Sequence, residues 1–353
     1  MAHNNCGLTS DDFKKGIIVR TPNWLGDAIM AIPAITCLYK MLPLDSSLYV
    51  ITNDTLKPLF DSITFIKGTI SVGDGHSKWQ PEIVREIKNL NLGLGFLFVN
   101  SLRSAWYLKK CVPKLFGVSN GLRNILLTKS FPVKWHKKKS YSKEHQSYKF
   151  LSLVYRLGAP EWNGECPEFK MINESELKTE GIAEFVLKGK ILAVAPGAAY
   201  GYAKRWSSEN YNHLCRDWIE KKSGNVVILG TKNEIESASS VSRGLDESNV
   251  LNLAGKTNLK ELIFILKKSD FCISNDSGIM HLGSALGIRG ISIFGSTDPY
   301  ATGPLSKKWK VLIKKQSCAP CFSRECVNHN KDYRCLESIT TEEVIKTINE
   351  SII

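Results

Sequence analysis

No stretch of this chain approaches the about 20 consecutive apolar residues that a membrane-spanning helix needs. Met1–Lys15 is polar and holds no apolar core of the kind a secretory leader carries. Together these absences predict a soluble protein that is not exported. There is no short-period repeat and no low-complexity tract, which argues against solenoid and fibrous architectures. Acidic residues are in deficit, with 34 Asp+Glu against 47 Lys+Arg and a net charge of +13. That balance points to an acidic partner, which is a nucleic acid, an anionic membrane surface or a phosphorylated substrate.

What is present is ordinary for a globular protein: 353 residues, 43% hydrophobic and 23% charged, a length that suggests two domains. The charge is uneven. Lys134–Lys149 carries six lysines against one glutamate and reads either as a solvated basic loop or as a docking surface for an anion. Six of the ten cysteines are scattered (Cys6, Cys37, Cys111, Cys166, Cys215 and Cys272), several in apolar runs where cysteine acts as a small hydrophobe. The other four, Cys318, Cys321, Cys326 and Cys335, follow the spacing C-x2-C-x4-C-x8-C. The first interval suits tetrahedral zinc and the later ones are short for a zinc ribbon, so a structural zinc knuckle and free thiols both remain open.

Strand-like and helix-like runs alternate twice. Ile17–Arg20, Leu48–Thr52 and Leu94–Val99 read as strands, with helices over Asp27–Met41 (where Pro33 kinks the helix or marks its first turn), Trp79–Leu90 and Ser101–Cys111. Periodicity is lost over Asn163–Lys190 and then resumes. Ile191–Ala195, Val226–Leu229, Asn252–Ala254, Phe271–Ile273 and Gly290–Phe294 read as strands. Helices are predicted over Glu209–Lys221, Asn233–Arg243, Leu259–Lys268 and after Ser277, with a last one opened by Thr340 and Glu343. The expected class is α/β with parallel sheets. The expected boundaries are an extension at 1–15, a first domain at 16–170, a linker at 171–189, a second domain at 190–338 and a C-terminal helix at 339–353. Two successive open sheets imply a cleft, and ligands of such sheets bind outside the carboxyl ends of the strands.

The polar turns after strands are therefore the candidate chemistry. Pro22–Asp27 has one glycine where the dinucleotide fingerprint G-x-G-x-x-G needs three. Asp27 at a helix start is expected to be held ionised by the helix N-terminus; it is either an ordinary helix-start residue or a general base toward a hydroxyl. In Pro196–Trp206, Lys204 and Arg205 stand just before a helix capped by Ser207 or Ser208. A cation there is unfavourable unless an anion joins it, so Lys204 is a surface lysine or a partner for a departing diphosphate. After Val226–Leu229, Glu234 is placed to accept from ribose hydroxyls. The run Ser274–His281 puts Asp276, Ser277 and Gly278 on a strand-to-helix turn, which reads as a helix capped by Ser277 or as a phosphate cradle with Asp276 open to hydroxyls. The chain has no D-x-D pair, the usual holder of Mg²⁺ or Mn²⁺ against a sugar-nucleotide diphosphate.

Taken together these stretches resemble the ADP-heptose:lipopolysaccharide heptosyltransferases, glycosyltransferase family 9, with the second heptosyltransferase the nearest in pattern. The matching runs are P-N-W-L-G-D at 22–27, N-S-L-R-S-A at 100–105, P-G-A-A-Y-G-Y-A-K-R-W at 196–206, N-L-A-G-K-T-N-L at 252–259, N-D-S-G-I-M-H at 275–281 and F-G-S-T-D-P at 294–299. The four-cysteine segment is not general to that family, and the resemblance assigns it no role. The resemblance implies the GT-B fold, two Rossmann-like domains facing across a cleft, with an inverting transfer from an ADP-heptose donor to a Kdo-heptose-lipid A acceptor. It implies Asp27 as general base, Lys204 at the diphosphate, Glu234 at the ribose, and Asp276, Ser277, Gly278 and His281 in the donor loop. Asn100, Ser101 and Arg103 fall on the acceptor side. It implies no cofactor and no metal, no nucleic-acid partner, and a cytoplasmic enzyme peripheral at the anionic inner face of the inner membrane. The alternatives are a family member with another acceptor (the first or a later heptose), a nucleic-acid-binding protein with a zinc knuckle, and a two-domain binder without catalysis.

Overall fold

The computed structural model describes residues 8–132 and 144–352. Its chain forms two compact units. The first ends at Lys170 and the second begins at Met171, while Glu144 and His145 group with the second unit and Gln146–Lys170 with the first.

In the first unit six parallel strands, β1 (Ile17–Arg20), β2 (Leu48–Thr52), β3 (Gly68–Ser71), β4 (Leu94–Leu97), β5 (Lys114–Val118) and β6 (Lys129–Phe131), lie in the order β3-β2-β1-β4-β5-β6. Ile17 is in register with Leu48 on one side and Leu94 on the other. The second unit repeats the plan with β7 (Ile191–Ala195), β8 (Asn225–Ile228), β9 (Val250–Asn252), β10 (Phe271–Asn275), β11 (Arg289–Phe294) and β12 (Trp309–Ile313), ordered β12-β11-β10-β7-β8-β9. Both sheets are doubly wound. The expectation of a parallel α/β class holds.

The central strands explain why. Every residue of β1, β4, β7 and β10 is buried, as strands covered on both faces must be. Helix Leu25–Tyr39 begins two residues before the predicted start and runs unbroken through Pro33, with Ala28–Leu38 buried. The cost of the missing Pro33 N–H is set against that burial. Helix Leu259–Lys268 is capped as its sequence indicates: Asn258 Oδ1 accepts from the Lys260 and Glu261 amides at 2.9 and 3.1 Å, and Glu261 answers the Asn258 amide at 2.9 Å.

The aperiodic stretch after Lys170 is ordered by main-chain bonds that leave no side-chain period. It holds a 3₁₀ turn, Glu174–Glu176, and a short helix, Ile182–Val186. Glu261 Oε1 accepts the Lys178 and Thr179 amides at 2.8 and 2.9 Å and fixes the stretch to the second unit.

In both sheets the chain reverses its direction of winding between two central strands, β1 and β4 in one and β7 and β10 in the other. Crevices at the carboxyl ends of such strand pairs are where open α/β sheets bind ligands.

Candidate active site

At the switch point of the first sheet the loops after β1 and β4 adjoin, the Phe98 amide donating to the Arg20 carbonyl at 2.9 Å. Arg20, itself 1% exposed, donates to the Thr21 carbonyl and, at 2.7 Å, to Asn23 Oδ1. Burial lowers its guanidinium to about 10. Arg123 is buried as well and donates to the Val99 and Val118 carbonyls, which shapes the β4 loop.

Asp27 sits in the first turn of helix Leu25–Tyr39, half-buried. The expectation that the helix start would depress its pKa is not met. Burial pushes the carboxyl up from its ordinary value, and Lys149 pulls part of the way back. Lys149 in turn is lowered by burial, raised by Asp27 and lowered by Arg123. The carboxylate thus stands in a partly dry, cationic setting, which suits a base more than full ionisation in water would. Lys149 closes the basic run Lys134–Lys149, whose residues 134–143 lie outside the described residues.

Among the proposed acceptor residues, Asn100 and Arg103 are exposed and Ser101 is half-buried. Ser101 Oγ accepts from the Ser104 amide at 3.1 Å and caps helix Leu102–Lys109. Arg20 and Arg123 were not singled out from sequence, and Lys149 was marked only as the end of the basic run Lys134–Lys149. An arginine closing the apolar run I-I-V-R was the available signal for Arg20.

At the switch point of the second sheet, Lys204 Nζ lies 2.5 Å from Asp276 Oδ2, the side chains being 12% and 4% exposed. Thr297 Oγ1 donates to the same oxygen at 2.7 Å. This corrects one reading. The anion that makes a cation tolerable ahead of helix Ser208–Lys222 is supplied by the protein, Asp276 meeting Lys204 and Thr297 through Oδ2. Asn275 stitches the loops together, donating to the Pro196 carbonyl at 2.7 Å and accepting from the Trp206 amide and the Tyr211 hydroxyl, both at 3.1 Å.

Ser277 holds the N-cap position of helix Gly278–Ala285 without a side-chain cap bond. Its hydroxyl pairs with Ser274 Oγ at 2.9 Å instead, which corrects its reading as the cap. The first amides of the helix, from Gly278 onward, are thus not taken by the side chain that sequence assigned to them, and such amides favour anions. His281 is buried, and burial, with smaller downward pushes from His145 and Lys204 against an upward pull from Asp276, lowers it to about 4. Its imidazole is neutral at physiological pH.

Glu234 is buried, and Oε2 accepts the Thr231 amide at 2.7 Å and its hydroxyl at 2.9 Å. Its carboxyl lies against Gly197, where an added Cβ would stand 2.1 Å from Glu234 Oε1. The glycine after β7 therefore admits Glu234 to the same strand-end region as Lys204. Gly197→Ala should displace the Glu234 carboxyl from its bonds to Thr231 and lower the melting temperature, read by thermal denaturation.

The four clustered thiols are all free. Burial first, then the proximity of Cys318, Cys321 and Cys326, raises the Cys335 thiol to about 11. Among the described residues no three His, Cys, Asp or Glu side chains come together in a way that could hold a metal ion.

Two doubly wound parallel sheets in one chain, each with charged side chains at its switch point, define a two-domain α/β fold of the GT-B kind. The solved Escherichia coli ADP-heptose lps heptosyltransferase II shares it with a TM-score of 0.73, 20% identity, and coverage of 96% of this chain and 98% of that one. The E. coli heptosyltransferase WaaC, solved with ADP, shares it with a TM-score of 0.66 and 16% identity over 95% and 99% of the two chains. A lipooligosaccharide heptosyltransferase 2 from Campylobacter jejuni is 27% identical over 334 residues, 94% of this chain and 96% of the relative. The chain belongs to glycosyltransferase family 9 (heptosyltransferase), whose sequence pattern matches residues 82–332. It is a glycosyltransferase, and the resemblance read from its six motifs stands.

Proposed function

We propose that the protein transfers heptose from ADP-L-glycero-D-manno-heptose to the heptose of the lipopolysaccharide inner core, the heptosyltransferase II reaction, by one inverting displacement and without a metal ion. The observation that carries this reading is that each sheet has a charged group of the required kind at its own switch point, Asp27 in the first and the Lys204–Asp276 pair in the second. The names of the relatives, heptosyltransferase 2 and an enzyme solved with ADP, support the same donor and acceptor classes.

In the reaction the acceptor hydroxyl gives its proton to Asp27 as its oxygen forms a bond to the anomeric carbon. The bond from that carbon to the diphosphate oxygen breaks, and ADP leaves with the electron pair. Inversion follows from a single backside attack. The Lys204 ammonium and the amides at the start of helix Gly278–Ala285 meet the charge that grows on the leaving diphosphate. Asp276 and Thr297 hold Lys204 at the end of β10 for that purpose. Glu234 faces the ribose. On the acceptor side Asn100, Ser101 and Arg103 meet the core sugars and their acidic groups, with Lys149 beside Asp27. Among the described residues no helix is long and apolar enough to cross a membrane. The excess of +13 gives the enzyme a peripheral place on the anionic inner face of the inner membrane, where it reaches a lipid-linked acceptor.

The test is transfer itself. Incubation with ADP-heptose and a Kdo-heptose-lipid A acceptor should add one heptose mass, with full activity in EDTA. Transfer only to an acceptor that lacks heptose would assign the first-heptose reaction instead. A strict requirement for Mg²⁺ would remove Lys204 as the main diphosphate partner.

A further inference from the structure

We propose that Arg324, carried by the four-cysteine segment, binds the diphosphate of the donor beside Lys204; this rests on the reading of the second switch point as the nucleotide site. The need for it arises from charge. Lys204 is matched by Asp276 at 2.5 Å, so the pair is close to neutral as a unit. The helix start after Ser277 offers only a partial positive charge, about half of one. A sugar diphosphate brings more than one full negative charge, so Lys204 and the helix start leave it short of cations.

Arg324 stands where the missing one is needed. Three bonds clamp its segment to the loops of the site: the Ala203 amide donates to the Arg324 carbonyl at 3.0 Å, the Tyr200 hydroxyl to the Phe322 carbonyl at 2.8 Å, and the Phe322 amide to the Ser296 carbonyl at 2.7 Å. Gly201 admits the segment so closely that an added Cβ would stand 2.4 Å from the Arg324 carbonyl oxygen. The Arg324 guanidinium lies 5.5 Å from the centre of the Tyr200 ring, and Lys204 Nζ lies 5.0 Å from the same centre. The ring attracts each cation, and of the two Lys204 has an anion against it, Asp276, while Arg324 has none among the described residues. Arg324 is exposed and makes no ion pair among the described residues. The neighbouring carboxylate, Glu325, is taken by the Tyr333 hydroxyl at 3.0 Å. A planar guanidinium fixed at its main chain and free at its head is suited to bidentate capture of phosphate oxygens. The four-cysteine segment thereby has a task, which is to hold Arg324 against the Lys204 loop.

Calorimetry of the wild type, Arg324→Gln and Arg324→Lys with ADP and with adenosine tests this, with melting curves to confirm folding. Arg324→Gln should weaken ADP about tenfold, with adenosine unchanged and a shallower dependence of ADP affinity on salt, and Arg324→Lys should recover part of the loss. Wild-type ADP affinity in Arg324→Gln would overturn the proposal. Equal losses for ADP and adenosine would also overturn it, since Arg324 would then only support the loop. Failure of the wild type to bind ADP at all would instead remove the nucleotide site on which the proposal stands.

Discussion

Asp27→Asn should lower turnover by about 10²–10⁴-fold, the range a general base contributes, and leave ADP-heptose affinity unchanged. Asparagine keeps the shape and cannot take a proton. The pH dependence carries the same signature. Burial raises the Asp27 carboxyl above its ordinary 3.8 and Lys149 opposes the rise. The base works only when ionised, so turnover should fall as pH drops through that raised value, and Lys149→Met should move the acid limb to higher pH. Stability runs the other way. Because the folded value exceeds the unfolded one, the stability linked to this group is fully present below 3.8 and is lost as pH rises through the folded value. At pH 7 the ionised carboxylate is therefore a cost, and Asp27→Asn should melt higher than the wild type. Turnover lost together with a higher Tm identifies a base held in a dry place for chemistry. Wild-type turnover in the variant would end its assignment.

The central strands and the order of the motifs were legible in the sequence because burial on both faces writes itself as an unbroken apolar run. Ile17–Arg20 and Ile191–Ala195 stand at the bounds read from the sequence. The strands missed were β3, β5, β6 and β12. G-T-I-S in β3 is half-exposed, K-S-F in β6 is three residues on an edge, and W-K-V-L-I in β12 is an edge strand with an exposed lysine. K-L-F-G-V in β5 is nearly all buried, but lysine and glycine interrupt its apolar run. Such strands are held by neighbours that sequence does not show. At the site, residue types were legible and pairings were not. Lys204, Asp276 and Thr297 come from three separate strand ends, and only the fold brings the ammonium and the hydroxyl onto one carboxylate oxygen. For the same reason Ser277 was read as a cap from its local pattern, while Ser274, three residues back, takes its hydroxyl. The Asp27 expectation erred because a helix start is visible in sequence and desolvation is not.

Asp276→Ala should destabilise the second unit by about 3–5 kcal/mol, the usual cost of removing one member of a buried ion pair. The partner left behind is the Lys204 ammonium, held in a setting where it is 12% exposed and with Thr297 also robbed of its acceptor. The loss therefore measures an uncompensated charge more than the strength of the pair itself. Lys204→Met together with Asp276→Leu removes both charges, and urea denaturation of this double variant should return most of the stability. Transfer activity separates the two effects. It should fall by at least a hundredfold in both variants, because one has lost the anchor of Lys204 and the other the ammonium itself. Recovery of activity along with stability in the double variant would show that the pair serves the fold alone and that the diphosphate is met elsewhere. Stability unchanged in Asp276→Ala would mean that water reaches the ammonium, and the neutral-pair reasoning that assigns Arg324 would fail with it.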